Sequence, residues 1–319
     1  MTALECSIVI RAYNEERHIG RLLDGVAQQT LKDVEVILVD SGSSDRTAEI
    51  ALQRAACLVH IRPDEFTFGR SLNAGISQAS AELVVIASAH VYPVYPDWLE
   101  RLLAPFSDPK VALAYGKQRG NANAKFSEQQ VFVHWYPDQS QLRQSQPFCN
   151  NANAAIRREL WEQRPYDETL TGLEDLEWAH WVIGQGYFLS YVAEAEVTHV
   201  HDETPTAVYN RYRREAMAFK RIFPQEKFSL GNTFHLVTTN VASDLRQAGR
   251  AGSLWRNLGS IFWFRWMQFW GTYQGYRHPG LLTSELRKTF YYPRDSGGPA
   301  AGQPREVMPI QYNEDVTRN

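Results

Sequence analysis

The sequence predicts an α/β fold in which a mostly parallel central sheet is flanked by helices and followed by a helical C-terminal extension. Three observations carry this. Short apolar runs end abruptly in small and polar residues, as strands of a buried parallel sheet do at their carboxyl edge. Between them, apolar residues recur at three- and four-residue spacing with short connections, so strand and helix alternate as in right-handed crossover units. Past residue 205 the strand pattern stops and aromatic-rich helical stretches take over. The expected divisions are 1–205 for the α/β domain, 206–292 for the helical extension and 293–319 for a loosely ordered tail rich in Pro, Gly and polar residues.

In chain order, residues 5–11 form the first strand, which breaks at Ala12-Tyr13-Asn14-Glu15-Glu16. Ile19, Leu22, Leu23 and Val26 then mark a helix. Val34–Asp40 is the second strand, stopping at Ser41-Gly42-Ser43-Ser44-Asp45, where Ser44 or Asp45 can cap a helix from Thr47 to about Ala56. Leu58–Ile61 is a third strand, and a helix from Ser71 to Ser80 feeds the most apolar one, within 81–90. Ligands of open α/β sheets bind at the carboxyl edge, so Ser88 and His90, which end that strand, are focal.

The pattern then loosens. Trp98–Phe106 reads as a helix and Val111–Tyr115 as a strand, while 116–146 is a polar segment too long for an ordinary loop and is expected to be a lid ordered by ligand. Residues 150–161 return to strand and helix, Glu174–Ile183 is helical, and Leu189–Val200 is strand-like. In 254–276 aromatic residues occupy more than one helical face, with Arg256 and Arg265 between them. Both a membrane-interface helix and packing against the catalytic domain or a second subunit account for that composition.

Composition excludes several classes. With 44% hydrophobic residues in 319 there is ample material for a core, and a net charge of -3 without a long basic run argues against nucleic acid as a partner. Three scattered cysteines, Cys6, Cys57 and Cys149, give neither a disulfide framework nor a CxxC metal site and suit a reducing cytosol. No window reaches the roughly 18 consecutive apolar residues of a membrane span, so the expectation is a cytoplasmic protein, soluble or peripheral at the inner face of the membrane. The 41–45 loop lacks the glycine spacing and lysine of phosphate-binding loops, which disfavours a dinucleotide oxidoreductase.

Three stretches taken in order, Ile8-Val9-Ile10-Arg11-Ala12-Tyr13-Asn14-Glu15-Glu16, Val36 to Thr47, and Gly69-Arg70-Ser71-Leu72-Asn73-Ala74-Gly75, resemble the opening of the family 2 glycosyltransferases of GT-A fold, over roughly residues 5–205. The resemblance implies a nucleotide-sugar donor held by Ala12, Tyr13, Glu15 and Asp40, with Arg70 and Asn73 close by. Ser88-Ala89-His90 stands where the family typically has Asp-x-Asp, whose carboxylates hold a divalent ion on the donor diphosphate. Two readings follow. In one, His90 joins His201 or His199, which strand alternation puts on one face, to hold manganese or a similar borderline ion. In the other no metal is essential, and His90 with an arginine neutralises the leaving phosphate directly. Tyr209, Arg211, Arg213 and Arg214 could close over that diphosphate.

Thr171 to Trp178 resembles the family's acceptor-side Glu-Asp motif. An inverting transfer needs a carboxylate base there; Asp175 is the candidate, with Glu174 orienting the acceptor. Lys117, Asn151, Asn153 and Trp178 are candidates for the acceptor pocket, the asparagines because they offer paired donors and acceptors to sugar hydroxyls. The implied activity is transfer of a sugar to a saccharide or lipid-linked acceptor in polysaccharide or glycoconjugate synthesis. The rivals are a catalytically silent sugar- or nucleotide-binding homologue and a peripheral membrane module.

Overall fold

The computed structural model describes residues 4–54, 56–201, 204–277, 305 and 307–312. Strands β1 (Cys6–Ala12), β2 (Val34–Asp40), β3 (Cys57–His60) and β4 (Leu83–Ser88) alternate with helices α1 (Ile19–Ala27), α2 (Thr47–Gln53) and α3 (Phe68–Ile76). Next come β5 (Val91–Pro93), α4 (Trp98–Leu103), β6 (Val111–Gly120), α5 (Phe126–Trp135), β7 (Gln141–Gln144), β8 (Asn153–Arg157), α6 (Arg158–Gln163), α7 (Glu174–Gly184) and β9 (Phe188–His199). Three long helices follow, α8 (Pro205–Ile222), α9 (Leu230–Arg250) and α10 (Leu254–Arg277).

Among the described residues the strands form one sheet of order β3-β2-β1-β4-β8-β6-β9-β5, with β7 on β9. Parallel pairing joins β3, β2, β1 and β4, the part with helical crossovers. The other half is mixed: β8 runs antiparallel to β4 and β6, and β5 and β7 antiparallel to β9, while β6 and β9 are parallel. Parallelism therefore ends where the crossovers end. The sheet is apolar on both faces: Ile8, Ile10 and Val85 lie in one core, Val9, Val84 and Ile86 in the other. This two-sided burial is why these strands read as continuous apolar runs.

The segment 116–146 is not a lid. β6 continues to Gly120 along β9, and α5 packs against α9 and α10, with Ser127 Oγ donating to Asp244 Oδ2 at 2.6 Å. Asp244 also receives Arg265 at 2.7 and 2.9 Å in a buried ion pair, so polar residues in a supposed loop are one side of an interhelical network. The low hydrophobicity that suggested a loop is satisfied by buried partners instead.

Ser229 and Asn232 form a reciprocal cap on α9, and Thr204 caps α8 ahead of Pro205, where the missing N–H costs nothing. α10 crosses α8 closely: a Cβ at Gly271 or Gly275 would come within 2.5 Å of Tyr209 O or 2.3 Å of Arg213 O. One face of α10 is thus core, including Phe264 and Phe269, while Trp255, Phe262 and Trp266 remain exposed at 84%, 51% and 36%. Both compositional readings of 254–276 therefore keep a face of the helix. Of the expected tail, Arg305 and 307–312 are described, and they lie along β5.

Candidate active site

The carboxyl ends of β1, β2 and β4 bring Ala12, Asp40 and Ser88 to one edge, with Arg11 in register with Ser88. Val91 of β5 pairs with His199 at the end of β9, and this antiparallel pairing delivers His90 to the histidines of β9. The rings of His90 and His199 stack at 5.1 Å, and His199 and His201 meet at 4.1 Å. One ligand nitrogen from each of the three lies within 4.8 Å of the others.

Each ring is held by its Nδ1. His90 Nδ1 is 2.8 Å from Glu15 Oε1, His199 Nδ1 is 2.7 Å from Gln118 Oε1, and His201 Nδ1 is 2.7 Å from Glu128 Oε1. Gln118 donates its amide to Asn150 Oδ1, so its oxygen faces His199 as an acceptor and His199 carries its proton on Nδ1. Arg211 pairs with Glu128 at 2.9 Å and lies 3.0 Å from His201 Nδ1. Burial, reinforced by neighbouring histidines and Arg211, holds both His199 and His201 well below the ordinary imidazole range, so both are neutral.

Across the cavity, α7 starts from Leu173 in the left-handed region (φ 58), unusual for a branched side chain and located where function concentrates. Asp175 is buried and accepts the backbone N–H of Asn151 at 3.0 Å and of Leu176 at 2.8 Å. Burial, then the Glu174 carboxylate beside it, pushes the Asp175 carboxyl up to about 7 against those bonds and Arg11. Arg11 stands 3.6 Å from Glu174 and packs over Phe68, whose ring Arg214 also covers. Asp175, His199 and His201 open onto one cavity of about 150 Å³ with aromatic walls from Trp135, Phe148 and Phe219.

A nucleotide-edge sheet, a carboxylate poised to take a proton and a cluster of neutral imidazoles now stand together, and the comparisons decide the family. The profile of glycosyl transferase family 2 matches residues 7–164. The chain belongs to that family. It is similar to the O-antigen chain rhamnosyltransferase RfbN of Salmonella typhimurium, 27% identical over 222 residues, 66% of this chain and 70% of that protein. The O-antigen chain rhamnosyltransferase WbaN of Salmonella anatum is 29% identical over 196 residues, 58% of this chain and 62% of the relative. In structure it is similar to the mannosyltransferase PcManGT of Pyrobaculum calidifontis, solved with GDP-Man and Mn2+, at TM-score 0.58 and 19% identity over 86% of this chain and 85% of that one. The family, the enzyme class and the GT-A fold expected from the motifs are borne out.

Within the transferase several candidate residues serve the scaffold. Asn73 accepts from Trp161 Nε1 and Tyr166 N–H and donates to Tyr166 O and Glu168, so it pins the 161–168 stretch and has no side-chain group left for a donor. Asn153 is fully buried, donating to Lys117 O and Ala195 O and accepting from Trp98 Nε1. Trp178 is fully buried in the core with its N–H on Arg164 O, and Lys117 is locked between Asp138 and Glu196. These three are corrections to the acceptor-pocket expectation: buried polar groups took partners from the protein. Ala89 is fully buried and packs in the core, so it offers no surface to a ligand.

The remaining candidates stay at the edge. Tyr13 is exposed, Glu15 holds His90, and Ser88 Oγ lies 3.1 Å from His90 Nε2. Asp40 accepts the N–H groups of Gly42 and Ser43, with His60 at 3.4 Å, so its carboxylate also staples its own loop. Arg70 is half exposed beside Glu65 and Glu168. Asn151 contributes its backbone to Asp175, and its side chain faces the Tyr166 hydroxyl. Cys149 is buried, its thiol raised well above the usual range by burial and by Asp175, which removes a reactive role. Sequence reasoning gave no role to Gln118 or Glu128 as acceptors for histidine; neither stands in a periodic or motif context that would reveal it.

The three histidines fit a transition metal. The Nε2 atoms of His199 and His201 lie 3.0 Å apart, a separation that one proton shared between the two neutral rings spans and that a cation held by both rings would replace. Outer hydrogen-bond partners on every Nδ1 fix the ring orientations, as such partners do for metal-binding histidines, and an all-imidazole donor set suits manganese, zinc or cobalt better than magnesium.

Proposed function

We propose that this transferase moves a sugar from a nucleotide-sugar donor to a hydroxyl of a saccharide or lipid-linked saccharide, with inversion at the anomeric carbon. The observation that carries this reading is Asp175, buried, raised to about 7 and facing the same cavity as His199 and His201. A base near neutrality removes a proton efficiently without being permanently protonated. In the transfer the acceptor oxygen forms a bond to the anomeric carbon, the bond from that carbon to the diphosphate oxygen breaks, and the hydroxyl proton passes to Asp175. The nucleoside diphosphate leaves with the bonding pair. Glu174, tethered by Arg11, orients the acceptor. His90, His199 and His201 would hold a divalent ion, which when bound supplies positive charge to the leaving diphosphate.

Ala12, Tyr13, Glu15, Asp40 and Ser88, with Arg70 farther out, are the donor-side residues of this reading. RfbN and WbaN are named rhamnosyltransferases, which makes rhamnose the first sugar to test, and PcManGT was solved with Mn2+. The test is thermal stabilisation by UDP, dTDP, GDP, CDP and CMP, each with manganese and with chelator, followed by turnover of the corresponding sugars. A ligand at a hundred times its dissociation constant adds about 2.7 kcal/mol, readily seen in the melting temperature. Stabilisation by one diphosphate with metal and transfer from its sugar support the reading; no response to any nucleotide makes the chain a silent homologue.

The reading extends to an anionic membrane surface as the partner of α10. No helix among the described residues is long and apolar enough to cross a membrane. The exposed stripe Trp255, Phe262 and Trp266, continued by Phe234 of α9, is instead the pattern of a helix lying in the interface. Its charges favour lipid over a second copy. α10 contains no Asp or Glu, the single acidic residue of α9 is the buried Asp244, and Arg246, Arg250, Arg256 and Arg277 are exposed. A surface of one sign meets an anionic bilayer better than its own image.

A further inference from the structure

β5 carries an unusual load for its size. It is a three-residue edge strand containing Pro93, which has no N–H to give, yet it follows His90 directly and its pairing of Val91 with His199 sets the two rings against each other. So short an edge strand is poorly held by ladder bonds alone. The C-terminal segment supplies the missing restraint. Ile310 N–H donates to Val94 O at 2.9 Å, and the Tyr312 hydroxyl donates to Pro93 O. Arg305 Nη2 reaches both carboxylate oxygens of the buried Asp97 at 2.6 and 2.8 Å, its Nη1 donates to Glu194 O at 2.7 Å, and the guanidinium lies 4.0 Å over the Tyr95 ring.

The contacts run inward from there. Tyr312 packs on Tyr92 at 6.0 Å, and the Arg21 guanidinium covers both rings. The Tyr92 hydroxyl meets His18 Nδ1, and the His18 ring stands edge-on to His90 at 6.4 Å. His18 opens α1 with its N–H on the backbone oxygen of Glu15, the residue whose carboxylate holds His90. Tyr312, Tyr92 and His18 therefore form a continuous chain of contacts that ends on the His90 ring.

We propose that Arg305 and residues 307–312 are a positioning strap: by fixing β5 and the Tyr92–His18 pair from outside, they hold the His90 imidazole where it meets His199 and His201. Arg305, Ile310 and Tyr312 are positioning residues, since none touches the reacting groups. The proposal rests on His90 belonging to the donor site, but its first readout does not require that site to bind anything.

One variant is Gly25→Ala. Alanine favours a helix over glycine by about 1 kcal/mol, so α1 itself gains, yet a Cβ at Gly25 would lie 2.5 Å from the Tyr312 hydroxyl and 3.1 Å from Pro93 Cδ and would displace the Tyr312 ring and press on β5. Tyr312→Phe, by contrast, removes only the hydroxyl's bond to Pro93 O. The full chain is labelled with 15N-histidine, and the His90 imidazole signals are assigned with His90→Gln. Gly25→Ala, Tyr312→Phe and Ile310→Pro are each expected to shift or broaden those signals while leaving His235, in the second turn of α9, unmoved. Titration with Co2+, read by its visible absorption, should then show about tenfold weaker binding in the same variants. Unchanged His90 signals in all three variants would overturn the strap. If instead the signals shift but the parent chain binds no Co2+, the strap stands and the metal reading falls.

Discussion

His199 and His201 face each other through their Nε2 atoms at 3.0 Å while their Nδ1 atoms are held by Gln118 and Glu128. Arg211 Nη1, which can only donate, lies 3.0 Å from His201 Nδ1, so His201 Nε2 can carry the proton that faces His199 Nε2, and a cation held by both rings would take that proton's place. Mn2+ or Zn2+ binding measured by calorimetry on chelator-treated protein should be lost in His201→Ala. It should be weakened by about 10- to 100-fold in Gln118→Ala and Glu128→Gln, which touch only the outer nitrogens. Retained affinity in His201→Ala would leave the pair as a proton-sharing structural contact, and equal activity with magnesium would argue against an imidazole donor set.

The buried Asp175 gives a pH signature with a definite sign. Its folded value of about 7 lies above the usual carboxylate range, and the transfer needs the ionised form, so kcat/KM should rise with pH through about 7 and level off above it. Stability runs the other way: the folded state keeps a proton that the unfolded chain has released, so this group's contribution falls as pH rises from the ordinary Asp range through 7. Asp175→Asn is therefore expected to lose turnover by about a thousandfold or more, on the scale of removing an essential base. At pH 8 it should melt no lower than the parent. Turnover equal to the parent would remove the base assignment.

Much of this was legible in the sequence, for a physical reason. Strands β1, β2 and β4 are buried on both faces, so their apolar runs stand out, and the residues that end them mark the ligand edge. His90, Asp175, His199 and His201 stood out as candidates because each closes or opens an element at a motif position, and the structure brings the three histidines together. What failed was the acceptor pocket. Asn153, Trp178 and Lys117 are of the types that bind sugars, but residue type does not reveal whether a polar group is spent internally, and Trp98, Arg164, Asp138 and Glu196, which occupy them, are 14 to 79 residues away in the chain. The supposed lid failed likewise: α5 looks polar because Ser127 and Glu128 answer Asp244, His201 and Arg211.

Asn73 tests that distinction. It stands in the motif that resembles a donor-side element, yet its amide closes four hydrogen bonds to Trp161, Tyr166 and Glu168. Asn73→Ala leaves buried donors and an acceptor unpaired at a cost of about 1–3 kcal/mol, visible as a lower denaturation midpoint. The KM for the donor, measured below the new melting temperature, should stay within about twofold of the parent, well under the tenfold change that a lost 1.4 kcal/mol of binding would give. A large rise in KM without loss of stability would return Asn73 to the donor site.

The α9–α10 surface makes the remaining prediction. Trp266 stacks on Trp270 at 5.6 Å and meets Phe234 at 6.1 Å, so these three rings form a joined patch, with Trp255 and Phe262 exposed on the same helix. Indole rings with flanking arginines gain from both parts of an anionic interface, the acyl boundary and the headgroup charge, and each arginine near the surface is worth about 1 kcal/mol there. The protein should therefore float with vesicles containing phosphatidylglycerol, float less with purely zwitterionic vesicles, and lose flotation as salt is raised. Trp255→Ala with Trp266→Ala should abolish flotation even at low salt, whereas Arg256→Gln with Arg250→Gln should weaken it on anionic vesicles alone. Because the patch faces away from α8, these changes should leave transfer to a soluble saccharide acceptor intact and reduce transfer to one carried on a lipid in the bilayer. A parent chain that never floats but sediments as a dimer, with the double tryptophan variant a monomer, would assign the patch to a second copy instead.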